Sequence, residues 1–299
     1  MSLRMQFDVF GEPSVLHSFE FELAPPGPGE LLVSNRALGV NPYDWKYVAG
    51  RMSSEPPARP VVPGNEGAGV VTAVGADVTG FAVGDEVIWN VHLGGYATDR
   101  VVPAAKVWLK PASVGFEVAA SLPVAAGTAF AAIRQLGVGE GDVLLIHAAS
   151  GGVGSAGVQI ARSLGARVIG TASEANHDFV RELGAEPVAY GPGLAERVRA
   201  IAGVTAIVDF VGSVDAAEAS IDLMPGLERA VTIAGKSPAH DAGFAFVQRD
   251  PDATPAAIAL AAEGGLHVEI AERFALADAA KALELSKTGH VRGNIVLVP

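Results

Sequence analysis

The sequence predicts an α/β protein in which a doubly wound parallel sheet is joined to a smaller, strongly bent, β-rich domain. From residue 116 onward, apolar runs of strand length alternate with helical segments, the pattern of a parallel sheet covered on both faces. Before residue 116, short apolar runs alternate with glycine and proline turns and show no sustained helical period. With 299 residues, the chain is long enough for two domains, each with its own core.

In the N-terminal part we expect strands separated by turns and one long loop. A short helix or turn opens at Asn41, and the stretch 51–63 is interpreted as loop because it holds four prolines. A glycine turn at 63–67 leads into a strand. The predicted strands cover 19–23, 30–37, the end of 63–74, 83–89 and 96–102.

In the following part the predicted elements alternate regularly. Two helices, 117–122 and 128–136, come first. Strands then begin at Val143, Arg167, Val188, Ala206 and Ala230, and helices begin at Gly154, Asn176, Leu194, Asp215 and Ala253. The C-terminal segment carries a strand, a helix over 276–286 and a last strand over 294–298.

A glycine-rich turn lies between the apolar run 143–146 and a helix that ends before Gly165. It consists of Ala149, Ser150, Gly151, Gly152, Val153 and Gly154. Ala149 and Gly151 permit a tight turn whose N–H groups approach a pyrophosphate, and Gly154 permits close packing of helix on strand. Because a second strand follows at 167–171, the turn has the βαβ context of a dinucleotide-binding site. The alternative is a tight structural turn in a glycine-rich chain.

Further motifs extend over nearly the whole chain. In order they are Asn41-Pro42-Tyr43-Asp44, Pro63-Gly64-Asn65-Glu66-Gly67, Gly84-Asp85-Glu86-Val87, Gly94-Gly95-Tyr96-Ala97, Leu122-Pro123, Gly127-Thr128-Ala129, the glycine turn, Asp209-Phe210-Val211-Gly212 and Gly293-Asn294-Ile295-Val296-Leu297. This ordered set resembles the zinc-independent quinone oxidoreductases, a branch of the medium-chain dehydrogenase/reductase superfamily.

The resemblance implies a Rossmann-type sheet domain at 116–265 and a GroES-like domain formed by 1–115 together with the returning tail, 266–299. It also implies a homodimer, which we expect to join the two sheets at an edge strand near 228–234.

Composition and charge limit the partners. The chain has no cysteine, which excludes disulfides, thiolate catalysis and cysteine metal sites. Its net charge of −12 argues against nucleic acid and anionic membranes as partners. No apolar run approaches the roughly 20 residues of a membrane span, and the N-terminus lacks the pattern of a signal peptide. We therefore expect a cytoplasmic protein with a small-molecule substrate.

The resemblance also bears on zinc. In zinc-bearing relatives a cysteine lies near position 41 and a histidine follows the glycine of the Pro-Gly-x-Glu turn, whereas this chain has Asn41 and Asn65 there. An amide is a poor zinc ligand compared with thiolate or imidazole. The seven histidines do not cluster, and His147 is interpreted as a core residue. We predict no metal, so that hydrogen-bond donors must polarise a substrate carbonyl.

Asn41 and Tyr43 are the predicted catalytic residues, in a turn that by resemblance faces the nicotinamide and the substrate. Tyr43 can donate its phenolic proton to a developing enolate or quinolate oxygen, and Asn41 can orient the carboxamide or the substrate carbonyl. The alternative is that Asn41 caps a turn and Tyr43 packs in the core. Thr128 is either a hydroxyl beside the nicotinamide or a helix N-cap.

The cofactor prediction rests on the end of the second strand, where NAD-binding proteins usually carry Asp or Glu to hold the ribose 2′-OH. Here the strand end is neutral, and Ser173 and Asn176 can donate to a 2′-phosphate, with Tyr190 stacking or donating nearby. Glu174 would repel a phosphate or hold a 2′-OH instead. The sequence favours NADPH over NADH, and the resemblance adds Val211 and Gly212 to the cofactor-binding residues.

These inferences predict a zinc-free, NADPH-dependent reductase that passes hydride to a quinone or to the β-carbon of an enone. One alternative is an enoyl reductase of the polyketide or acyl type. Another is an NADPH-binding protein without turnover, such as a redox sensor or a structural protein. No G-x-S-x-G motif supports a hydrolase.

Overall fold

The computed structural model describes residues 1–53, 55–235 and 237–299. It forms two compact units, one made of Met1–Val124 with Glu269–Pro299 and the other of Ala125–Val268. A β-rich unit and an α/β unit with a parallel sheet confirm the predicted fold class.

Strands dominate the first unit. In chain order its N-terminal part contains β1 (Ser2–Gln6), β2 (His17–Phe21), β3 (Glu30–Val40), α1 (Pro42–Val48), β4 (Glu66–Val74), β5 (Glu86–Asn90), β6 (Asp99–Pro103), β7 (Val107–Leu109) and α2 (Phe116–Ala120). The short helix α2 packs on β3 and β4 and lies within the first unit, although the predicted sheet domain begins at residue 116.

The second unit alternates helices with parallel strands. It contains α3 (Gly127–Gln135), β8 (Val143–His147), α4 (Gly152–Ser163), β9 (Arg167–Ala172), α5 (His177–Glu182), β10 (Glu186–Ala189), α6 (Leu194–Arg199), β11 (Ala206–Asp209), α7 (Val214–Leu223), β12 (Ala230–Thr232), α8 (Pro238–Asp241), β13 (Ala245–Phe246) and α9 (Ala253–Ala262). The chain then returns to the first unit through β14 (Ile270–Ala275), α10 (Ala279–Lys287) and β15 (Asn294–Val298).

The sheet of the first unit is bent because its long strand β3 is irregular. The strand order is β14-β15-β3-β4-β5-β7, and β6 also pairs with β3, over Glu30–Ser34. The register between β3 and β4 shifts twice, at Leu32/Val33 and at Asn35/Ala37. Such irregularities bend a strand and increase its twist, which lets β3 pair with β15 at one end and β6 at the other.

The sheet of the second unit has the order β10-β9-β8-β11-β12-β13, which is the 3-2-1-4-5-6 order of dinucleotide-binding sheets. The order reverses between β8 and β11, and ligands of such sheets bind beyond the carboxyl ends of the strands at this point. Leu144, Leu145 and Ile146 of β8 are fully buried, as expected of a central strand covered on both faces.

The prediction that the segment 228–234 forms an edge strand was wrong. β12, which lies within 228–234, pairs with β11 on one side and with β13 on the other. The edge strand on this side of the sheet is β13, which has two residues and is too short to leave a periodic pattern in the sequence. Among the residues that the structure describes, no helix has both the length and the apolar character needed to cross a bilayer.

Candidate functional site

The glycine turn joins β8 to α4. Ala148 has a left-handed φ of 59°, and Gly151 is the N-cap of α4 with φ −77° and ψ 172°. A Cβ on Gly154 would lie 2.1 Å from the carbonyl oxygen of Ala148, so only glycine fits there. A Cβ on Gly151 would meet nothing nearer than that same oxygen at 3.6 Å. The turn therefore leaves open space before the unpaired N–H groups of the helix, as a bound pyrophosphate requires.

Ala149 occupies the first glycine position of this turn and is fully buried. Its methyl group points at β9, where a Cβ on Gly170 would lie 2.6 Å from the Cβ of Ala149. Glycine on the neighbouring strand thus provides the space that alanine in the turn takes up.

Three predicted cofactor residues lie together beside the turn. The Nδ2 of Asn176 lies 3.4 Å from the Oγ of Ser150 and 3.2 Å from the Oγ of Ser173. Because β8 and β9 are neighbours, their carboxyl ends bring these hydroxyl and amide groups into one polar cluster. Glu174 is exposed in the short 3-10 turn that begins there. Tyr190 follows β10, the next strand along, and is 55% exposed.

A second turn follows β11. The buried carboxylate of Asp209 accepts hydrogen bonds from the N–H groups of Val211 at 3.0 Å and Gly212 at 2.9 Å, and from the hydroxyl of Thr232 at 2.8 Å. Gly212 has a φ of 72°, which favours glycine. This arrangement leaves the side chain of Val211 half exposed at the carboxyl edge of the sheet.

Thr128 and His147 also lie in this unit. Thr128 is the second residue of α3 and not its N-cap, which is Ala126, so the capping alternative for Thr128 was wrong. His147 is buried, with its Nε2 2.9 Å from the Oγ of Ser220. Burial lowers the pKa of His147 to about 4, which keeps the ring neutral.

In the first unit, Asn41 is held by a buried glutamate. The Nδ2 of Asn41 donates to the Oε1 of Glu66 at 2.7 Å, and the N–H of Val124 donates to the Oε2 at 2.7 Å. Burial raises the pKa of Glu66 to about 8. The carboxyl group of Glu66 therefore fixes the direction of the Asn41 amide.

Asp44 is the centre of a connected hydrogen-bond network. Its buried carboxylate accepts from the backbone N–H of Asn41, the Nδ2 of Asn65 and the hydroxyl of Tyr96, each at 2.9 Å. The first of these bonds caps α1. Burial raises the pKa of Asp44 to about 6, and the three donors oppose this rise. The network fixes the start of α1 and therefore the positions of Asn41, its N-cap, and Tyr43, its second residue.

The residues at the two positions that bind zinc in relatives do not fit that metal. The amide of Asn65 is fully engaged, because its Nδ2 donates to Asp44 and its Oδ1 accepts from the N–H of Leu93 at 2.9 Å. The amide of Asn41 is turned toward Glu66. Within 1–53, 55–235 and 237–299, no three His, Asp or Glu side chains are grouped to hold a metal ion.

Tyr43 lies against His92, the residue two places after β5. The hydroxyl of Tyr43 is 2.9 Å from the Nε2 of His92, and the two rings meet edge to face with centroids 5.8 Å apart. Burial raises the pKa of Tyr43, although the side chain is only partly buried. Tyr43 is therefore not a core residue.

Sequence reasoning did not assign a role to Glu66 or His92. A carboxylate at the start of the apolar strand β4 was a usable signal for Glu66, because a buried charge needs partners. His92 gave no signal, since its contact with Tyr43 spans 49 residues of sequence.

Comparison with known proteins agrees with this architecture. The family model "Alcohol dehydrogenase GroES-like domain" matches residues 27–112, and the model "Zinc-binding dehydrogenase" matches residues 152–271. The chain is 33% identical to a quinone oxidoreductase of Pseudomonas aeruginosa over 100% of both proteins. Its structure is similar to that of Escherichia coli quinone oxidoreductase complexed with NADPH, with a TM-score of 0.85 and 29% identity over 99% of this chain and 100% of that one.

Part of the chain is also similar to a polyketide synthase. The sequence is 43% identical to polyketide synthase GfsB of Streptomyces halstedii over 54% of this chain and 3% of that much longer protein.

A GroES-like unit combined with a 3-2-1-4-5-6 parallel sheet defines a protein of the alcohol dehydrogenase-like class. Full-length similarity at 33% identity narrows the class. The chain belongs to the quinone oxidoreductases of the medium-chain dehydrogenase/reductase superfamily, and it is an oxidoreductase enzyme.

Proposed function

We propose that the protein is a zinc-free, NADPH-dependent reductase that transfers hydride to a quinone or to the β-carbon of an α,β-unsaturated carbonyl. The observation that carries this proposal is the glycine turn, whose open space at Gly151 adjoins the polar cluster of Ser150, Ser173 and Asn176. The similar Escherichia coli enzyme binds NADPH, which supports the same cofactor here.

The residues of the turn fit a dinucleotide phosphate. The N–H groups of Gly152, Val153 and Gly154 at the start of α4 would hold the pyrophosphate, where the helix dipole favours an anion. Ser173 and Asn176 would donate to the 2′-phosphate, with Tyr190 beside them. Thr128, Val211 and Gly212 would line the remaining length of the cofactor. When bound, NADPH supplies the hydride.

Proton donation would come from the first unit. As hydride reaches the acceptor, negative charge develops on its oxygen, and the hydroxyl of Tyr43 can donate a proton to it. Asn41 would orient the carboxamide or the carbonyl through its amide, whose direction Glu66 holds. Polarisation by these donors would take the place of a metal, because Asn41 and Asn65 stand at the zinc-ligand positions and amides are poor zinc ligands.

The test is NADPH oxidation against a panel of quinones, enones and enoyl thioesters. Turnover with quinones or small enones, and slower turnover with NADH, is the expected result. Stoichiometric NADPH binding without oxidation across the panel would instead support a sensor or structural protein.

An enoyl thioester reductase is the second candidate. The partial identity to a polyketide synthase favours it. The panel separates the two, because an enoyl reductase would show a higher kcat/KM with enoyl thioesters than with any quinone or free enone.

We also propose a homodimer. In the described part of the chain the edge strands of the parallel sheet are β10 and β13, and β13, next to the predicted segment 228–234, is the edge that we propose joins the two sheets. Light scattering at micromolar concentration should give the mass of two chains, and the mass of one chain would contradict the proposal.

A further inference from the structure

We propose that His92 is the proton relay of the active site, passing protons from solvent to Tyr43. The inference rests on the proposed function, in which the Tyr43 hydroxyl protonates the acceptor oxygen. His92 acts through Tyr43 and is therefore a positioning and relay residue, without contact to the substrate.

The contact between the two side chains suits proton transfer. The Tyr43 oxygen and the His92 Nε2 are 2.9 Å apart, a normal hydrogen-bond distance. Tyr47, one turn further along α1, also meets the His92 ring edge to face, at 6.1 Å and 77°. Two tyrosine rings thus hold the imidazole in one orientation while the residue stays exposed to solvent.

The backbone around His92 is fixed by Asn65. The N–H of Val91, just before His92, donates to the carbonyl oxygen of Asn65 at 2.9 Å, and the N–H of Leu93, just after it, donates to the Oδ1 of Asn65 at 2.9 Å. Leu93 has a φ of 60°, which is unusual for a residue other than glycine. Strain of this kind persists where the surroundings impose it, often at functional positions.

After it has donated its proton, Tyr43 needs a group that returns one to it. Burial and the nearby acidic groups of Tyr47 and Asp44 raise the pKa of Tyr43, so a tyrosinate left after proton donation is unfavourable. Imidazole takes up and releases protons near neutral pH, and histidine serves in this role in many enzymes. The described groups that face the ring of His92 are Tyr43 and Tyr47.

A hydride supplied by bound NADPH would add to the acceptor, and an electron pair of the acceptor's conjugated system would come to rest on its oxygen. The O–H bond of Tyr43 breaks as its proton moves to that oxygen. The Nε2–H bond of His92 then breaks as its proton moves to the tyrosinate, while Nδ1 takes up a proton from solvent, and exchange with solvent returns the ring to the tautomer that carries its proton on Nε2. One hydride and one proton are added to the acceptor, giving the hydroquinone, or the enol that tautomerises to the saturated carbonyl compound, with NADP⁺ as the oxidised cofactor.

The kinetic test compares His92→Gln with His92→Ala. Glutamine keeps a hydrogen-bonding group near Tyr43 but cannot carry a proton, so kcat should fall about 100-fold while the KM for NADPH stays unchanged. His92→Ala should fall similarly and recover with added imidazole, because the position is open to solvent. His290→Gln, an exposed histidine of the same unit, is the matched control and should match the wild type.

Two results would overturn the relay. A His92→Gln enzyme within twofold of the wild-type kcat would show that Tyr43 needs no histidine. Loss of activity in His92→Ala without rescue by imidazole would show a purely structural role.

A measurement without turnover separates this inference from the proposed function. In the absence of cofactor, the ring-nitrogen NMR chemical shifts of His92 should differ between Tyr43→Phe and the wild type, because the variant loses the hydroxyl that bonds to Nε2. Unchanged chemical shifts would contradict the coupling even in an active enzyme. Absence of NADPH oxidation by the wild type, together with changed chemical shifts, would count against the proposed reductase and leave the coupled pair in place.

Discussion

The Nδ2 of Asn41 donates to the Oε1 of Glu66 across 2.7 Å, linking a predicted catalytic amide to a fully buried carboxyl group. The second oxygen of Glu66 accepts from the N–H of Val124, so the carboxyl group has two donors and little freedom to rotate. The direction of the Asn41 amide thus depends on Glu66, and the state of Glu66 depends on pH.

We predict that the free energy of unfolding falls as pH rises from about 6.5 to 8. Burial raises the pKa of Glu66 to about 8, so the folded protein keeps this proton longer than the unfolded chain does. Because the unfolded state then binds fewer protons, stability decreases with increasing pH through this window, by on the order of a few kcal/mol. Urea unfolding at several pH values measures the slope.

Other buried groups, His147 and Asp44, change the free energy of unfolding below pH 6.5. The pKa of His147 is lowered to about 4, so its contribution is lost as pH falls from about 6.5 to 4, and Asp44, with a pKa of about 6, also titrates there. Glu66→Gln should flatten the slope between pH 6.5 and 8, and Glu284→Gln, an exposed glutamate of α10, should leave it as in the wild type. An equally steep slope in Glu66→Gln would contradict the assignment.

Gly151→Val should abolish tight NADPH binding while the protein still folds. A Cβ at this position meets only one heavy atom within 4 Å, so we expect the valine to occupy the space assigned to the pyrophosphate at a cost to the helix cap of about 1 kcal/mol. We expect at least a roughly tenfold weaker Kd by fluorescence titration. Gly203→Val, at another open glycine of the same unit, is the matched control.

Gly154→Ala, in contrast to Gly151→Val, should destabilise the turn itself. Its Cβ would lie 2.1 Å from a backbone oxygen, so the turn must shift and stability should fall by about 1–3 kcal/mol. Unchanged NADPH affinity in a folded Gly151→Val protein would refute the pyrophosphate site.

The purified protein should contain far less than one equivalent of zinc. The amides of Asn41 and Asn65 are poor ligands and already bond to Glu66 and Asp44. Elemental analysis of protein prepared without added zinc measures the content. Near-stoichiometric zinc that survives dialysis would contradict the prediction.

The local parts of the fold and site were predictable, and the long-range parts were not. The strand, glycine turn and helix around Gly151 follow from spacing within about 20 residues, and the structure contains all three. The space for Ala149 depends on Gly170 of the neighbouring strand, a relation that only the folded sheet creates. The contact of Asn41 with Glu66 spans 25 residues, and no local pattern indicates it.

The prediction of the edge strand at 228–234 was wrong for a related reason. A strand of two residues, such as β13, has no measurable periodicity, so the predicted sheet ends one strand early. Tertiary pairing, and not local propensity, makes this segment a strand.

Glu174 lies exposed at the end of β9, next to Ser173 and two residues before Asn176. If Ser173 and Asn176 bind a 2′-phosphate, Glu174 must point away from it. Glu174→Arg should then strengthen NADPH binding by up to roughly tenfold at low salt, because an arginine can pair with phosphate but solvent screens the charge. NADH binding should barely change, since NADH has no phosphate at this position.

The opposite result has a distinct signature. If Glu174 holds the ribose 2′-OH, the wild type should prefer NADH, and Glu174→Arg should weaken NADH while strengthening NADPH. Titrating both cofactors against both proteins separates the cases. Glu182→Arg, at an exposed glutamate on α5, makes the same change in net charge and is the control. A wild-type preference for NADH that the substitution reverses would overturn the proposed cofactor and leave the oxidoreductase fold unaffected, because the glycine turn that holds the pyrophosphate is common to both dinucleotides.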